Sequence, residues 1–431
     1  MLDGIKKNEL FSKIRKNSVV SLIVAFLSFL STMILARLLG AENFGVYKFS
    51  ITILNLATLL TTLGFPSLII REAAIYRSKN EWKLLRGLFV FSRNIAVILS
   101  LGVLVFFLSI KIYSQNKVGF AFDDIWLLVL IALPLVSFNK LSQAFISSYD
   151  FAYLSQISSG VLSPIILVTL SYTLFSLSSL KISDVFYIYF LASLCAFLLN
   201  VFLVKKTSPT PKNTTHSSAF KSKEWLSSAI VLMSLSAVYT VNSQIDIVML
   251  GVLSDSANVG IYAVSNRITT LLVFFLSSAN LVIAPSLARF YASGERKKTA
   301  KILAKVTRIS FIFSIVSVVA LSVFGGKILS TFGGEYAVGY WVLLILGLSQ
   351  LVNSASGPVS LLMNMSGHEK TSLAMFTVSF FINLLLNYFL IPRMGIYGAA
   401  IATSCSMVAW NASSLLFVVF KMRIFPLVGE V

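Results

Sequence analysis

The sequence predicts an all-α polytopic membrane protein, with twelve transmembrane helices in two six-helix lobes related by a pseudo-twofold axis along the membrane normal. Three observations lead there: a shortage of charge, a succession of apolar runs of membrane-crossing length, and a motif that recurs at a constant offset. Of 431 residues, 57% are apolar and 12% charged. A soluble domain keeps about 25% of its residues charged to cover its surface. Lipid must therefore replace water around most of this chain, in keeping with its mean hydropathy of +0.88.

A helix needs about 20 apolar residues to cross the hydrocarbon core. Such runs fall at roughly 18–36, 44–65, 88–110, 125–147, 155–178, 183–204, 226–250, 259–284, 306–325, 336–364, 371–391 and 396–420. They lack the period-two alternation of a barrel strand, and only helices or closed barrels satisfy their backbone in lipid. Ahead of the first run stand Lys6, Lys7, Lys13, Arg15 and Lys16, with no small-residue cleavage site after it, so the run reads as an uncleaved first helix. With both termini in the cytoplasm, about 25 Lys and Arg fall on the inner side and about 7 on the outer, the bias that orients membrane proteins. The inner loops on this reading include Arg71–Arg86, Lys205–Lys223 and Arg289–Lys305; the longest outer connection is Lys111–Asp124.

The stretch 205–225 contains Ser208-Pro209-Thr210-Pro211 and a run of Asn, Thr and Ser. It reads as a cytoplasmic linker between lobes 1–204 and 226–431. The halves are related. Leu38–Tyr47 (LLGAENFGVY) aligns with Leu253–Tyr262 (LSDSANVGIY), pairing Asn43 with Asn258, Gly45 with Gly260 and Tyr47 with Tyr262; the same offset pairs Ala73 with Ala288 and Tyr76 with Tyr291. Six spans separate the copies, so the halves share one orientation, the parallel-repeat design of many transporters.

Composition excludes several classes. A net charge of +19 would suggest nucleic acid in a soluble protein, but here the basic residues sit in short loops between spans, so no nucleic-acid partner is expected. Cys195 and Cys405 lie in apolar runs and act as small hydrophobes. His216 and His368 have no second ligand at metal spacing, so no metal or other cofactor is expected. Proline removes a helical hydrogen bond. Termination accounts for Pro66, Pro285 and Pro392 as well as bending does, whereas Gly357-Pro358 is the best candidate for a true kink.

The segments Ala36–Tyr47 (ARLLGAENFGVY), Gln244–Leu253 (QIDIVMLGVL), Val259–Ile268 (VGIYAVSNRI) and Ile382–Thr403 (INLLLNYFLIPRMGIYGAAIAT) resemble, in order and spacing, the polysaccharide and O-antigen flippases. These belong to the multidrug/oligosaccharidyl-lipid/polysaccharide exporter superfamily, with the MATE drug exporters and the lipid II flippases. The resemblance implies two lobes in a V that rock about a central cavity in a bacterial inner membrane. It implies a polyprenyl-diphosphate-linked oligosaccharide as substrate, for surface polysaccharide of the O-antigen or capsule type. A monomer working beside polysaccharide polymerase machinery, with membrane lipids as its other partners, is the corresponding expectation.

Charges within the membrane are expensive and call for a role. Arg267, two turns into the eighth span, and Lys48, one turn into the second, are candidates for a diphosphate site, where cationic side chains bind by charge-assisted hydrogen bonds. Arg93 and Lys140, nearer the inner face, could guide the same group; snorkelling to the interface is the alternative for each. Arg37, at the end of the first span, can reach the outer interface easily.

Asp246 is the one acid well inside a span. Asn383 and Asn387 share a helical face, Thr403 offers a hydroxyl, and Gly395 with Gly398 could free a carbonyl near Ala399. Carboxylate, amide, hydroxyl and carbonyl oxygens suit a hard cation, and similar positions carry sodium in the lipid II flippase class. Sodium or proton coupling is the expectation, weakened because Asn387 stands where an Asp would bind a cation more firmly. A polar cluster joining three helices, or an Asp246–Arg267 ion pair, is the alternative.

A drug exporter on the same fold would need an acid-lined cavity, against four basic candidates and one Asp here. A lipid II flippase remains open. A membrane-embedded glycosyl polymerase would present opposed carboxylates, whereas Asp123 and Asp124 adjoin, so no enzyme is expected.

Overall fold

The computed structural model describes residues 2–114, 125–149, 151–178, 180–207 and 218–426. Most of the expected outer connection Lys111–Asp124, and the centre of the linker with His216, lie outside the described residues. Helix α1 (Leu2–Thr62) joins the first two expected spans through Gly40, whose φ of 72° suits a residue without Cβ. A Cβ there would also lie 2.9 Å from the Glu335 carboxylate.

Helix α2 (Phe65–Ser78) carries Pro66 in its first turn, and α3 (Trp82–Ser114) follows after a turn at Asn80. The expected loop Arg71–Arg86 is therefore corrected: only the residues between α2 and α3 are non-helical. Leu68, Ile69, Ala73 and Tyr76 are buried at three- and four-residue spacing, so α2 is a short amphipathic helix that its basic residues disguised.

The fourth expected span is divided into α4 (Ile125–Ile131) and α5 (Leu133–Ser148), with Pro134 opening α5. The fifth comprises α6 (Ala152–Ile157), a π-helical turn at Ser158–Leu162 and α7 (Ser163–Leu177). Next come α8 (Ile182–Thr207), α9 (Ser222–Leu253) and α10 (Ser256–Ala292). Asp255 caps α10, accepting from the Asn258 backbone N–H at 2.7 Å. Pro285 lies inside α10, so termination is not its role. The expected loop Arg289–Lys305 is likewise mostly helix, since α11 (Arg296–Ser330) begins four residues after α10 ends.

A 3-10 turn at Gly334–Gly339 leads into α12 (Tyr340–Ser356), and α13 (Val359–Met365) follows a break at Gly357-Pro358. Gly357 has φ 69°, and a Cβ on it would lie 1.9 Å from the Thr307 hydroxyl, so this is the expected kink. Helices α14 (Glu369–Met394) and α15 (Ile396–Phe420) complete the chain; Pro392 sits in the last turn of α14 and Gly395, at φ 53°, ends it. Among the described residues there is no strand, and nine helices are long and apolar enough to cross a membrane, Lys16–Thr62 counting once although Gly40 divides it. This is a multi-pass membrane protein.

The chain forms two compact units, Met1–Leu39 with Ser50–Thr240 and Gly40–Phe49 with Val241–Val431. Helices α1 and α9 thus contribute to both. In the first unit Phe65, Leu68, Ile69, Leu88 and Leu141 pack with Trp225 and Ala229 of α9, and the Trp225 indole N–H donates to the Tyr76 hydroxyl at 2.9 Å. In the second, Leu287, Leu303, Leu362 and Val418 join α10, α11, α13 and α15.

The repeated motifs meet inside the second unit. A Cβ on Gly45 would lie 1.6 Å from the Ser256 carbonyl oxygen, and one on Gly260 would lie 2.1 Å from that of Ala41. The offset that pairs Gly45 with Gly260 also pairs Ala41 with Ser256, so the contact is reciprocal. Backbone meets backbone here because neither glycine has a side chain to hold them apart.

Candidate functional site

The acidic residue singled out in the sequence is the centre of a buried polar cluster in the second unit. Asp246 projects from α9 and is 5% exposed. Its Oδ1 accepts from Asn387 Nδ2 at 2.8 Å and its Oδ2 from the Tyr262 hydroxyl at 2.9 Å. Asn387 Nδ2 also donates to Asn383 Oδ1, one turn earlier on α14. Thr403 Oγ1 lies 3.0 Å from the Tyr262 hydroxyl and donates to the Ala399 carbonyl at 3.0 Å; that carbonyl lies inside the unbroken α15, so it is not freed as expected and meets the cluster through the hydroxyl. Gly398 permits it: a Cβ there would lie 2.5 Å from the Leu390 carbonyl, a close approach of α15 to α14. Ser406 extends the network, accepting from Asn383 Nδ2 at 3.3 Å.

Four helices, α9, α10, α14 and α15, therefore converge on one carboxylate. Asp246, Asn383, Asn387, Ala399 and Thr403 come together in one hydrogen-bonded cluster, which matches both the ion-site expectation and its alternative of a polar junction between helices. The alternative ion pair does not form, because Asp246 has Tyr262 and Asn387 as its partners. Arg267 is five residues beyond Tyr262, and five helical residues turn about 140° away from it.

Tyr262 is the member that the sequence reading missed. It appeared there only as the repeat mate of Tyr47. A buried phenol must find a hydrogen-bond partner, but the sequence does not show that this one is buried.

The oxygen set fits a hard monovalent cation. Asn387 Oδ1 is buried without a hydrogen-bond partner, while the amide nitrogen of the same side chain is shared between Asp246 and Asn383. Turning that amide over would aim the orphaned oxygen at the carboxylate, an arrangement that repels unless a cation lies between. Asp246, Asn383 and Thr403 supply further oxygens, and the Ala399 carbonyl one more.

Of the cationic residues, Lys48 and Arg267 lie in the same unit, on α1 and α10. Both are half-buried, and Lys48 Nζ lies 5.4 Å from the centre of the Phe44 ring. Arg93 and Lys140 are in the first unit, on α3 and α5. Arg93 is exposed and contacts the neighbouring Asn94 side chain at 3.5 Å; Lys140 is half-buried. Arg37 is exposed near the end of its span.

The polar centre of the first unit is neutral. Asn200 Nδ2 donates to Asn139 Oδ1 at 2.9 Å, and Asn139 Nδ2 donates to the Ser193 carbonyl at 3.3 Å. The constant offset sets Ser31 opposite Asp246, and the Ser31 hydroxyl only donates back to the Ser28 carbonyl at 3.1 Å.

Comparison with known proteins places this geometry. An inward-facing MATE-family multidrug resistance transporter superposes with a TM-score of 0.76 at 15% identity, over 95% of this chain and 98% of that one. The lipid II flippase MurJ, in an inward closed conformation, gives 0.74 at 15% identity, over 96% and 88%. The chain thus shares the fold of these transporters. In sequence, the chain is 24% identical over 165 residues to the probable low-salt glycan biosynthesis flippase Agl15 of Haloferax volcanii, a match to 38% of this chain and 35% of that protein. It is 23% identical over 398 residues to the capsular polysaccharide biosynthesis protein CapF of Staphylococcus aureus, 90% of this chain and 94% of that one. A MatE family model matches residues 231–389, which include Asp246, Tyr262, Asn383 and Asn387. The model for polysaccharide biosynthesis proteins matches residues 12–291, well over half the chain, and to that family the chain belongs.

Proposed function

We propose that this protein flips a polyprenyl-diphosphate-linked oligosaccharide from the cytoplasmic to the outer leaflet of a bacterial inner membrane. The observation that carries the reading is that Lys48 and Arg267, two half-buried cations on α1 and α10, belong to the same unit. A diphosphate brings about two negative charges, and Arg contributes a planar fork for its oxygens. The names of the relatives, a glycan biosynthesis flippase and a capsular polysaccharide protein, support the same substrate class.

Transport runs by alternating access of two six-helix lobes, 1–204 and 226–431, joined by the linker 205–225, with both termini in the cytoplasm. The head group enters the inward-open form while the prenyl tail stays in lipid. Arg93 and Lys140 guide it from the inner side, and Lys48 and Arg267 hold the diphosphate. No covalent bond is made or broken. A cation such as sodium, held by Asp246, Asn383, Asn387, Thr403 and the Ala399 carbonyl, supplies the coupling. The protein works as a monomer beside polysaccharide polymerase machinery, serving O-antigen or capsule-type synthesis.

The MATE likeness raises drug export as a second reading, and the cation pair disfavours it because exported drugs of that class are themselves cationic. The test is translocation of a synthetic prenyl-diphosphate oligosaccharide in sealed proteoliposomes, comparing the parent with Arg267→Ala. Arrival of sugar on the far leaflet with the parent, lost in a normally inserted variant, supports the reading. No translocation across several sugars overturns it in favour of drug export.

A further inference from the structure

The ion site leaves Tyr262 without a task. Its phenol is fully buried, donates to Asp246 Oδ2 at 2.9 Å and lies 3.0 Å from Thr403 Oγ1. It thus stands between two oxygens that a cation would need, one on α9 and one on α15. A cation seated between Asp246 Oδ2 and Thr403 Oγ1 would compete with the phenol oxygen for that space, so filling it displaces the hydroxyl. A ring in a close-packed interior has little freedom to turn alone, and the displacement passes to its helix.

On α10 that displacement arrives at once at the reciprocal crossing. Gly260 is two residues before Tyr262, and its backbone presses on the Ala41 carbonyl while Ser256 presses on Gly45. No side chain lies between the backbones to absorb a shift. Packed contacts of this kind have discrete arrangements and do not deform continuously. The crossing segment carries Lys48, and α10 carries Arg267. Whatever opens the crossing therefore moves both cations of the diphosphate site.

We propose that Tyr262 couples cation occupancy of the Asp246 cluster to the Gly45–Gly260 crossing. The phenol bound to Asp246 keeps the crossing shut, and a cation that takes the carboxylate releases it. The inference rests on the ion-site reading above and adds a positioning residue that the reading does not need.

Ala41 is 1% exposed in the shut crossing, so Ala41→Cys reports its opening. The full chain with Cys195→Ser, Cys405→Ser and Ala41→Cys is reconstituted in nanodiscs and treated with N-ethylmaleimide in sodium or choline chloride. Sodium is expected to speed labelling about fivefold or more, the usual scale of coupling between sites. Tyr262→Phe should keep a sodium-specific thermal shift and lose the labelling response, whereas Tyr47→Phe, its repeat mate, should keep both. A Tyr262→Phe protein that still responds to sodium overturns the coupling role. A parent with a sodium-specific thermal shift but flat labelling overturns it while leaving the ion site standing; a parent with no such shift overturns the ion site itself. Gly260→Ala tests the same link without touching Tyr262. It should label fast in choline and, because coupling is reciprocal, bind sodium at a lower concentration by the same factor. Unchanged sodium affinity in a fast-labelling Gly260→Ala would contradict the proposal.

Discussion

The two units solve one problem differently. Each must join helices inside lipid, where polar side chains act as glue between apolar surfaces. The first unit uses a neutral pair, Asn139 and Asn200, closed on the Ser193 carbonyl. The second uses a carboxylate, Asp246, tied to two amide-bearing residues and a phenol. The offset of the repeat sets Ser31 of the first unit opposite Asp246, and its hydroxyl is satisfied within its own helix turn. A buried charge is far costlier than a buried amide. The difference sets the second unit apart as the one that holds a buried carboxylate at this position, where the first holds a hydroxyl.

The comparison breaks most visibly if the charge is moved. Ser31→Asp puts a carboxylate where no amide cluster receives it, and an uncompensated buried charge costs about 3–5 kcal/mol. Thermal unfolding in detergent should show a large loss or failure to insert; a stable Ser31→Asp would mean the units are not different in kind. Next in size is Arg267→Ala. Loss of charge-assisted hydrogen bonds worth about 1.5–3 kcal/mol lowers translocation roughly 10- to 100-fold, read as head-group arrival in proteoliposomes with insertion unchanged.

Asp246→Asn keeps the shape of its cluster and removes its charge. Stability should change by about 1 kcal/mol, while any sodium-specific stabilisation disappears. A thermal shift that persists would place the cation elsewhere. The smallest effect belongs to the double variant of the neutral pair. Asn200→Ala alone strands Asn139 and costs about 1–3 kcal/mol, whereas Asn139→Leu with Asn200→Leu removes both partners and should be nearly neutral in stability. Equal losses in the single and double variants would show that the pair does more than glue helices.

Much of the second unit was legible in the sequence because its signals are local. Asn383 and Asn387 announce themselves by four-residue spacing, and a lone Asp in an apolar run needs a reason wherever it stands. Gly357-Pro358 broke its helix as its chemistry requires. Tyr262 was not legible, since a tyrosine in a membrane helix looks the same whether its hydroxyl meets lipid head groups or a carboxylate on another helix. The same limit hid α2, whose buried face of Leu68, Ile69, Ala73 and Tyr76 was outweighed by the basic residues around it. The glycines of the repeat were visible as a motif. That they touch each other is a fact of tertiary packing, and no one-dimensional spacing encodes it.

The most direct measurement follows prenyl-diphosphate oligosaccharide translocation in proteoliposomes with a sodium gradient imposed in either direction or replaced by choline, for the parent and for Asp246→Asn. The account predicts that the parent flips the lipid at a rate set by the sodium gradient, and that Asp246→Asn flips slowly and without regard to it. Equal rates for the parent in sodium and choline would contradict the coupling, and no translocation under any gradient would contradict the flippase itself.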